Sequence, residues 1–266
     1  MKAIVLTYDR NRSLTEHMVR RYRMAWADHP FRFRVPFQSL GTPPAGGAVE
    51  MIESPSNIKA TVLRLIEDLP DDEMIYWCID DKYPIALDLT ALRSMHAWIT
   101  GPASAGFDGL LFCQRLTGST RPLGRRAGPT LGDGLETVER TDYRRIWIHQ
   151  YLRVKVIRTM FLAFPDDLKS AKRMDELKDQ LAKPADHRLL VTRAGFATFG
   201  ESSSRGLLTT SCRDSMNELG VPLPAWATSF AEGNFIMGDA EAERPKRLKD
   251  RLRRMLGTLR HRLLPG

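Results

Sequence analysis

Cysteine is scarce in this chain of 266 residues, which contains three, at positions 78, 113 and 212. Their number is odd and their spacing wide, so neither a disulfide framework nor a cysteine-based zinc cluster fits them. Cys78 and Cys113 lie in apolar, strand-like runs, where a cysteine usually acts as a small buried hydrophobic residue. This usage of cysteine indicates a protein of the reducing cytoplasm.

The chain also lacks long apolar runs and the most familiar catalytic motifs. No stretch of about eighteen apolar residues is present, which argues against a transmembrane helix, and the N-terminus has no signal-peptide cleavage pattern. The histidines are scattered without the spacing of zinc ligands. Neither a Gly-x-Ser-x-Gly elbow, a Walker loop nor a G-x-G-x-x-G turn occurs, which excludes the commonest hydrolases, nucleoside triphosphatases and dinucleotide-binding enzymes.

Positive charge is concentrated at the C-terminus. Residues 244–266 contain nine lysines and arginines and one acidic residue, Asp250, so this segment has a net charge of +8, equal to that of the whole chain. Residues 1–243 are therefore formally neutral. A neutral body argues against a general nucleic-acid-binding protein, and we expect no nucleic-acid partner.

The same segment has a helical pattern of apolar residues with basic residues on its other faces. This pattern is typical of a helix that lies on an anionic membrane surface, which predicts a peripheral protein at the inner face of the membrane. A helix packed on the body with a solvated basic face is the alternative. The apolar stripe consists of Leu248, Leu252, Met255, Leu256, Leu259 and Leu263.

Apolar runs alternate with amphipathic stretches along residues 1–243, which we expect to form one α/β domain with an open sheet and helical additions towards its C-terminus. The predicted strands are residues 2–8, 31–35, 74–79, 110–116 and 189–192. The predicted helices are residues 13–26 with Ser13 and Glu16 as a capping box, 58–69 capped by Ser56, 89–99, most of 143–182, and 210–219. Loops are expected at 41–47, 117–135 and 195–207.

Polar residues follow two of the predicted buried strands. Thr7, Tyr8, Asp9 and Arg10 come after the first strand, and the pair Asp80-Asp81 follows the apolar run MIYWCI. Ligands bind at the carboxyl ends of strands in open α/β sheets, and carboxylate oxygens suit Mg²⁺ or Mn²⁺. The alternative is that the acidic pair only begins a turn before Pro84.

The two segments together resemble glycosyltransferases of the GT-A fold. Leu6-Thr7-Tyr8-Asp9-Arg10 is similar to the T-Y-N-R segment that opens many members, with Asp9 where asparagine is usual. Cys78-Ile79-Asp80-Asp81 is similar to the family's D-x-D motif, although Cys78 and Ile79 are not acidic. The resemblance covers residues 1–120.

The resemblance implies a Rossmann-type, GT-A-like fold that binds a UDP- or GDP-sugar through residues 1–120 and an acceptor through residues 121–243. By position, Asp81 is the ligand of Mn²⁺ or Mg²⁺, and Asp80 lies beside the ribose or phosphate, with the segment around Tyr8 against the base and ribose. It further implies a glycan or lipid-linked glycan acceptor, in the synthesis of a cell-surface polysaccharide.

An inverting transfer needs a general base beside the acceptor hydroxyl, whereas a retaining enzyme needs none. Our candidates are Asp175, after the predicted acceptor helices, and Glu201, in the Gly/Ser-rich stretch. Asp175 is also consistent with a solvated helix face, because charges alternate around it at helical spacing. The Gly/Ser-rich stretch, with Arg205, could hold a phosphate or sugar, or could be a plain surface loop.

Two other functions remain open. A nucleotidyltransferase also uses acidic metal ligands on an α/β sheet, but usually has a Gly-rich basic loop after the first strand, and Tyr8 to Arg12 contain no glycine. A non-catalytic binding or scaffold protein could act through the basic tail alone. Binding of UDP, GDP and CMP with and without Mn²⁺ separates the three.

Overall fold

Two apolar segments, Lys2–Leu6 and Met74–Ile79, form parallel neighbours near the centre of the main sheet. Both strands are apolar on both faces, because helices cover the sheet on each side. In the computed structural model, the described residues are 1–39, 49–113, 124–168, 171–233 and 235–236. The predicted loop at 41–47 and the basic segment 244–266 lie outside them.

Helices separate most of the strands in the first hundred residues, except that the third strand follows the second and the fifth follows the fourth, and short strands dominate after residue 120. The strands are β1 (Lys2–Leu6), β2 (Arg32–Phe37), β3 (Val49–Glu53), β4 (Met74–Ile79), β5 (Lys82–Leu87), β6 (Gly109–Leu111), β7 (Gly124–Ala127), β8 (Thr137–Arg140), β9 (Gln150–Arg153), β10 (Leu189–Thr192), β11 (Ala197–Glu201), β12 (Ser203–Ser204), β13 (Leu207–Thr209), β14 (Phe230–Ala231) and β15 (Phe235–Ile236). The helices are α1 (Arg12–Ala25), α2 (Ile58–Leu65), α3 (Leu89–Thr100), α4 (Val154–Ala163), α5 (Ala171–Lys178) and α6 (Thr210–Glu218).

Among the described residues, nine strands form one mixed sheet in the order β3-β2-β1-β4-β9-β6-β10-β8-β7. The strands β3, β2, β1 and β4 are mutually parallel. The alternation of strands and helices predicts this for β1, β2 and β4, whereas β3 was not predicted. Two small sheets, β15-β11-β5 and β12-β13-β14, lie outside the main sheet. The predicted α/β class with an open sheet is confirmed.

Two hydrophobic cores lie on opposite faces of the main sheet. Alternate residues of β4 point to opposite faces, so Tyr76 and Cys78 belong to one core while Ile75 and Trp77 belong to the other. Helices α1, α3 and α6 cover the first face, and α2, α4 and α5 cover the second. Trp77 is fully buried and donates from Nε1 to the carbonyl oxygen of Ile146 at 2.9 Å.

Several predicted elements of the second half are wrong. Residues 150–153 form β9, which lies antiparallel between β4 and β6, instead of continuing a helix that starts at 143. Residues 197–209 form three short strands instead of a loop. Residues 124–127, expected in a long loop, pair with β8 as β7.

The helix starts at α1 and α2 also differ from the expected caps. Ser13 lies inside α1, whose preceding residue Asn11 makes no side-chain capping bond, so the capping box is absent. Asn57, not Ser56, caps α2 by accepting from the backbone of Ala60. No helix in the described part of the chain has the length and apolar character needed to cross a membrane.

Candidate functional site

Thr7 and Asp80 meet at the carboxyl edge of β1 and β4. Leu6 pairs in register with Ile79, so the next residue of each strand lies beside the other. The Thr7 hydroxyl donates to Asp80 Oδ2 at 2.6 Å and also lies 2.9 Å from the Thr15 hydroxyl. The side chains that follow the two strands are therefore neighbours, as the strand-end argument predicts.

The Asp80 carboxyl is buried, with 7% of the residue exposed. Burial raises the pKa of Asp80 to about 7, the charge of Asp81 acts in the same direction, and hydrogen bonds from Thr7 and Asn11 oppose the rise. A carboxylate that is costly to ionise in its resting environment is stabilised by a nearby cation or hydrogen-bond donor. Perturbed carboxyl groups of this kind are common at functional sites.

The two carboxylate oxygens of Asp81 differ in their contacts: one is paired with a lysine, and the other has no hydrogen-bond partner among the described residues. Its Oδ2 lies 2.9 Å from the ammonium nitrogen of Lys82, the first residue of β5. Its Oδ1 is buried and has no hydrogen-bond partner among the described residues, and the same holds for Oδ1 of Asn11. Buried oxygens without a protein partner are exceptional, and such an oxygen is often satisfied by a bound ion or ligand.

Strand β11 places Glu201 next to the residues that follow β4. Glu201 is opposite Lys82 in the antiparallel pairing of β11 with β5, so the two side chains lie on the same face of that small sheet. The next residue, Ser202, donates from its backbone nitrogen to the carbonyl oxygen of Asp81 at 2.7 Å. One of the two predicted bases thus lies beside the acidic pair.

Asp175, the other predicted base, belongs to α5. Its helix packs through Met174 and Leu177 into the core on the α2 and α4 side of the main sheet. Strand β11 contributes Ala197 and Phe199 to the core on the other side. Helix α5 and strand β11 thus pack on opposite faces of the main sheet, and the role of Asp175 stays a prediction from sequence.

The Asp9 carboxylate connects the turn after β1 to the end of β2. It accepts hydrogen bonds from the backbone nitrogen of Ser39 at 2.8 Å, from the Ser39 hydroxyl at 2.7 Å and from Arg12 at 2.9 Å. Burial raises the pKa of Asp9, but the bonds from Ser39 and Gln38 and the charge of Arg12 outweigh burial and lower it. Asp9 shapes this edge of the sheet through its carboxylate.

Tyr8 and Arg10 lie at the surface of the same turn. Tyr8 is 49% exposed, and Arg10 is exposed with its guanidinium 5.6 Å from the ring centroid of Trp226. Such an arrangement is a cation–π contact. An aromatic ring and a guanidinium beside the acidic pair are groups that could contact a base or a phosphate, as predicted for this segment.

A buried hydrogen-bonded chain lies directly beneath Asp80. His149 Nε2 donates to the carbonyl oxygen of Ile79 at 2.9 Å, so its Nδ1 accepts from the Tyr22 hydroxyl at 2.6 Å, which in turn lies 2.9 Å from the Tyr76 hydroxyl. Burial lowers the pKa of His149 to about 3, so the imidazole is neutral. The chain supports the peptide bond that precedes Asp80.

The Gly/Ser-rich stretch forms short strands and a tight turn rather than an open loop. Ser202 is fully buried and its hydroxyl donates to the carbonyl oxygen of Asp80 at 3.2 Å. Arg205 and Gly206 have φ values of +54° and +80°, which is typical of a two-residue hairpin turn between β12 and β13. Arg205 is exposed at the tip of that turn.

The acidic pair fits a divalent cation that takes few protein ligands. In the part of the chain that the structure describes, no group of three or more His, Cys, Asp or Glu residues is placed to hold a metal. Mg²⁺ in particular is often held by one or two carboxylates together with substrate phosphates and water. Asp80, Asp81 and the partnerless Oδ1 of Asp81 match that chemistry.

Sequence reasoning missed Lys82 and His149, and it considered Ser202 only as part of the Gly/Ser-rich stretch, not as a support of the acidic pair. Lys82 directly follows the acidic pair, and this adjacency was the signal available for it. Ser202 lies more than a hundred residues after Asp80 along the chain, and His149 lies about seventy residues after it. Only the pairing of β5 with β11 and the position of β9 bring these two residues close to Asp80.

Comparison with known proteins gives structural neighbours only. Neither a protein-family model nor a curated protein matches the sequence. S. aureus TarS 1-349 in complex with UDP-GlcNAc is 16% identical with a TM-score of 0.45, over 74% of this chain and 56% of that chain. The galactosyltransferase LgtC with donor and acceptor sugar analogues is 14% identical with a TM-score of 0.37, over 81% of this chain and 78% of that chain.

A UDP-glucose pyrophosphorylase complexed with UDP-glucose is 9% identical with a TM-score of 0.46, over 82% of this chain and 98% of that chain. The match thus takes in little more than half of the TarS chain, at 56%, and nearly all of the pyrophosphorylase. The α/β fold with a mixed open sheet resembles these proteins at low identity. The likeness concerns the fold alone.

Proposed function

We propose that this protein is a glycosyltransferase that moves a sugar from a UDP- or GDP-sugar to a glycan or lipid-linked acceptor in the synthesis of a cell-surface polysaccharide. The observation that carries the proposal is the meeting of Thr7 with Asp80 at the carboxyl edge of β1 and β4, with the partnerless oxygen of Asp81 beside them. This is the edge at which α/β sheets bind nucleotides.

Asp81 would hold Mn²⁺ or Mg²⁺, which when bound neutralises the charge of the departing diphosphate, and Asp80 would lie beside the ribose or phosphate. Tyr8 and Arg10 lie exposed on the turn that follows β1 and would contact the nucleotide. Thr7 holds the Asp80 carboxyl in place through its 2.6 Å hydrogen bond. Together these residues would bind and orient the donor.

Glu201 would act as the general base if the transfer inverts the sugar. It is intermediate in exposure and lies opposite Lys82, next to the acidic pair, so it can reach water and an acceptor from the same edge. A base must lie within hydrogen-bonding reach of the proton that it removes. Asp175 is the second candidate from sequence, on the other face of the sheet.

The acceptor would be presented at a membrane. The basic segment 244–266 has the composition of a helix that binds an anionic surface, and residues 1–243 are neutral in total. A cytoplasmic enzyme attached in this way works beside lipid-linked glycans at the inner face of the membrane.

Calorimetry with nucleotides and Mn²⁺ tests the proposal. We expect the wild type to bind UDP or GDP more tightly with Mn²⁺ than without it. In the presence of Mn²⁺, Asp81→Asn should bind the nucleotide at least about tenfold more weakly than the wild type, because one metal ligand becomes neutral. Asp167→Asn is the matched control, since Asp167 is exposed and lies on the connection after α4.

Three results would contradict the proposal. One is a wild type that binds no nucleoside diphosphate at all. A second is an Asp81→Asn variant that binds UDP and Mn²⁺ as the wild type does. The third is release of pyrophosphate from a nucleoside triphosphate and a sugar phosphate without any sugar transfer, which identifies a nucleotidyltransferase.

A further inference from the structure

Lys82 is an unusually buried lysine. The residue is 8% exposed and its side chain 10% exposed, and its ammonium nitrogen lies 2.9 Å from Asp81 Oδ2. Lysine is rarely buried to this extent unless it is paired. Its partner is the carboxylate that the proposed function assigns to a metal.

The surroundings of Lys82 are acidic. Asp80 and Asp81 immediately precede it, and Glu201 is opposite it across β5 and β11. Its charge is close enough to lower the pKa of His149 and to favour the ionised form of Asp80. Lys82 therefore supplies positive charge to both carboxylates of the pair from within the chain.

We infer that Lys82 is a built-in counter-ion that competes with a divalent cation for Asp81, an inference that rests on the proposed function. A cation that binds both oxygens of Asp81 must displace the ammonium from Oδ2. A cation that binds only the partnerless Oδ1 remains close to a positive charge and is repelled by it. In either arrangement, the metal alone binds weakly.

The same geometry couples the metal to the donor. When a cation takes both oxygens of Asp81, the Lys82 ammonium loses its partner, and the oxygens of a bound diphosphate offer it a new one. Metal and nucleoside diphosphate then bind cooperatively, and each raises the affinity for the other by the same factor. The acidic pair is thereby kept neutralised until the donor arrives.

Titration with Mn²⁺ alone, followed by calorimetry or electron paramagnetic resonance, tests the inference. Lys82→Met removes the charge and keeps an unbranched side chain that is one heavy atom shorter, and we expect it to bind Mn²⁺ at least about tenfold more tightly than the wild type. Lys82→Arg keeps the charge and is expected to bind Mn²⁺ within about threefold of the wild type. Unchanged or weaker binding by Lys82→Met overturns the inference.

Two further variants control for misfolding of Lys82→Met and for binding of Mn²⁺ at another place. Lys82→Gln is a smaller neutral replacement for use if Lys82→Met fails to show the wild-type circular dichroism and cooperative melting, and the same tenfold gain is expected. Adding Asp81→Asn to the neutral variant must abolish the gain, and a gain that survives places the Mn²⁺ elsewhere and overturns the inference. Failure of the proposed function is distinct from both, because it is an absence of nucleotide binding by the wild type.

Discussion

At the scale of single residues, the candidate site depends on a buried carboxyl group and the hydroxyl that holds it. Asp80 is 7% exposed, and the Thr7 hydroxyl provides a 2.6 Å hydrogen bond to its Oδ2. The Thr15 hydroxyl, on α1, lies 2.9 Å from that of Thr7. A short chain of hydroxyl groups thus links the first helix to the carboxyl at the end of β4.

Replacing Thr7 with valine tests the contribution of this hydrogen bond. Valine has nearly the shape of threonine but cannot donate, so the buried Asp80 Oδ2 loses its partner, and we expect the free energy of unfolding to fall by about 1–3 kcal/mol. Urea unfolding followed by circular dichroism measures the change. Thr7→Ser, which keeps a hydroxyl, is the control and should lose less, and equal losses would show that the methyl group matters instead.

Much of the site could be predicted at this scale, because Thr7 and Asp80 each follow a parallel apolar strand, and such strands end at one edge. The use of the Asp9 carboxylate could not be predicted, since its partners Ser39 and Gln38 are about thirty residues away, at positions 39 and 38. The role of Lys82 could not be predicted from the sequence either, for a different reason. Its charge was visible, but its burial and its 2.9 Å approach to Asp81 are consequences of the pairing of β5 with β11.

At the scale of elements, periodicity predicted three of the four parallel strands, β1, β2 and β4, but missed β3 and failed for β9. The residues Gln150–Arg153 run without a turn residue into α4, Val154–Ala163, so the apolar pattern reads as one continuous helix. What makes 150–153 a strand is the open edges of β4 and β6 on either side of it. Tertiary pairing of this kind overrides local preference, and no local signal reveals it.

The chain of hydrogen bonds through His149 joins three of these elements. Tyr22 lies on α1 and Tyr76 on β4, and His149 immediately precedes β9. The imidazole is stacked against Tyr22 and in edge contact with Phe199 of β11, at centroid distances of 5.7 Å and 4.8 Å. The hydrogen bond that the Tyr22 hydroxyl donates to His149 requires a neutral ring, because a proton on Nδ1 would remove its acceptor.

Stability should therefore depend on pH through His149. Burial lowers the pKa of His149 from 6.5 to about 3, so the stabilising neutral form is fully present above pH 6.5 and the contribution is lost as pH falls towards 3. At pH 4.5, two pH units below the unfolded value, the loss is about 3 kcal/mol, since each unit corresponds to about 1.4 kcal/mol. Urea unfolding at pH 7.5 and pH 4.5 measures it.

His149→Gln isolates this contribution. Glutamine can donate to the carbonyl oxygen of Ile79 and does not titrate, so the variant should be less stable than the wild type at pH 7.5 but lose less on acidification. Asp80 acts in the opposite direction, because burial raises its pKa to about 7 and its protonation favours the folded state below that value. The comparison removes that effect, since Asp80 is present in both proteins. If the wild type and His149→Gln lose the same stability on acidification, titration of His149 does not contribute to the pH dependence.

At the scale of the whole molecule, charge is divided between a neutral body and a basic end. Residues 244–266 hold nine of the forty lysines and arginines, and the other 31 balance an equal number of acidic residues. Sequence reasoning is well suited to such a division, because a count of charges needs no knowledge of the fold. The structure of this segment lies outside the described residues, so its membrane role stays a prediction.

Deletion of residues 244–266 tests that role. Each basic residue near an anionic surface contributes about 1 kcal/mol, and exposed charges are screened within roughly 8–10 Å at physiological ionic strength, so binding should be strong at low salt and weaker at high salt. We expect the full chain, but not the truncated one, to sediment with phosphatidylserine-containing vesicles, and both to bind UDP equally. A truncated protein that still sediments would show that the body itself binds the membrane.

The position of β9 also has a consequence for how the chain is made. The strands β1 to β4 are complete by residue 79, yet the free side of β4 receives its neighbour only when residues 150–153 have left the ribosome. About seventy residues must be synthesised in between, and during that time an apolar strand edge is open to pairing with other chains. The nascent protein is therefore most exposed to aggregation midway through its synthesis, and slow translation before residue 153 would prolong that interval.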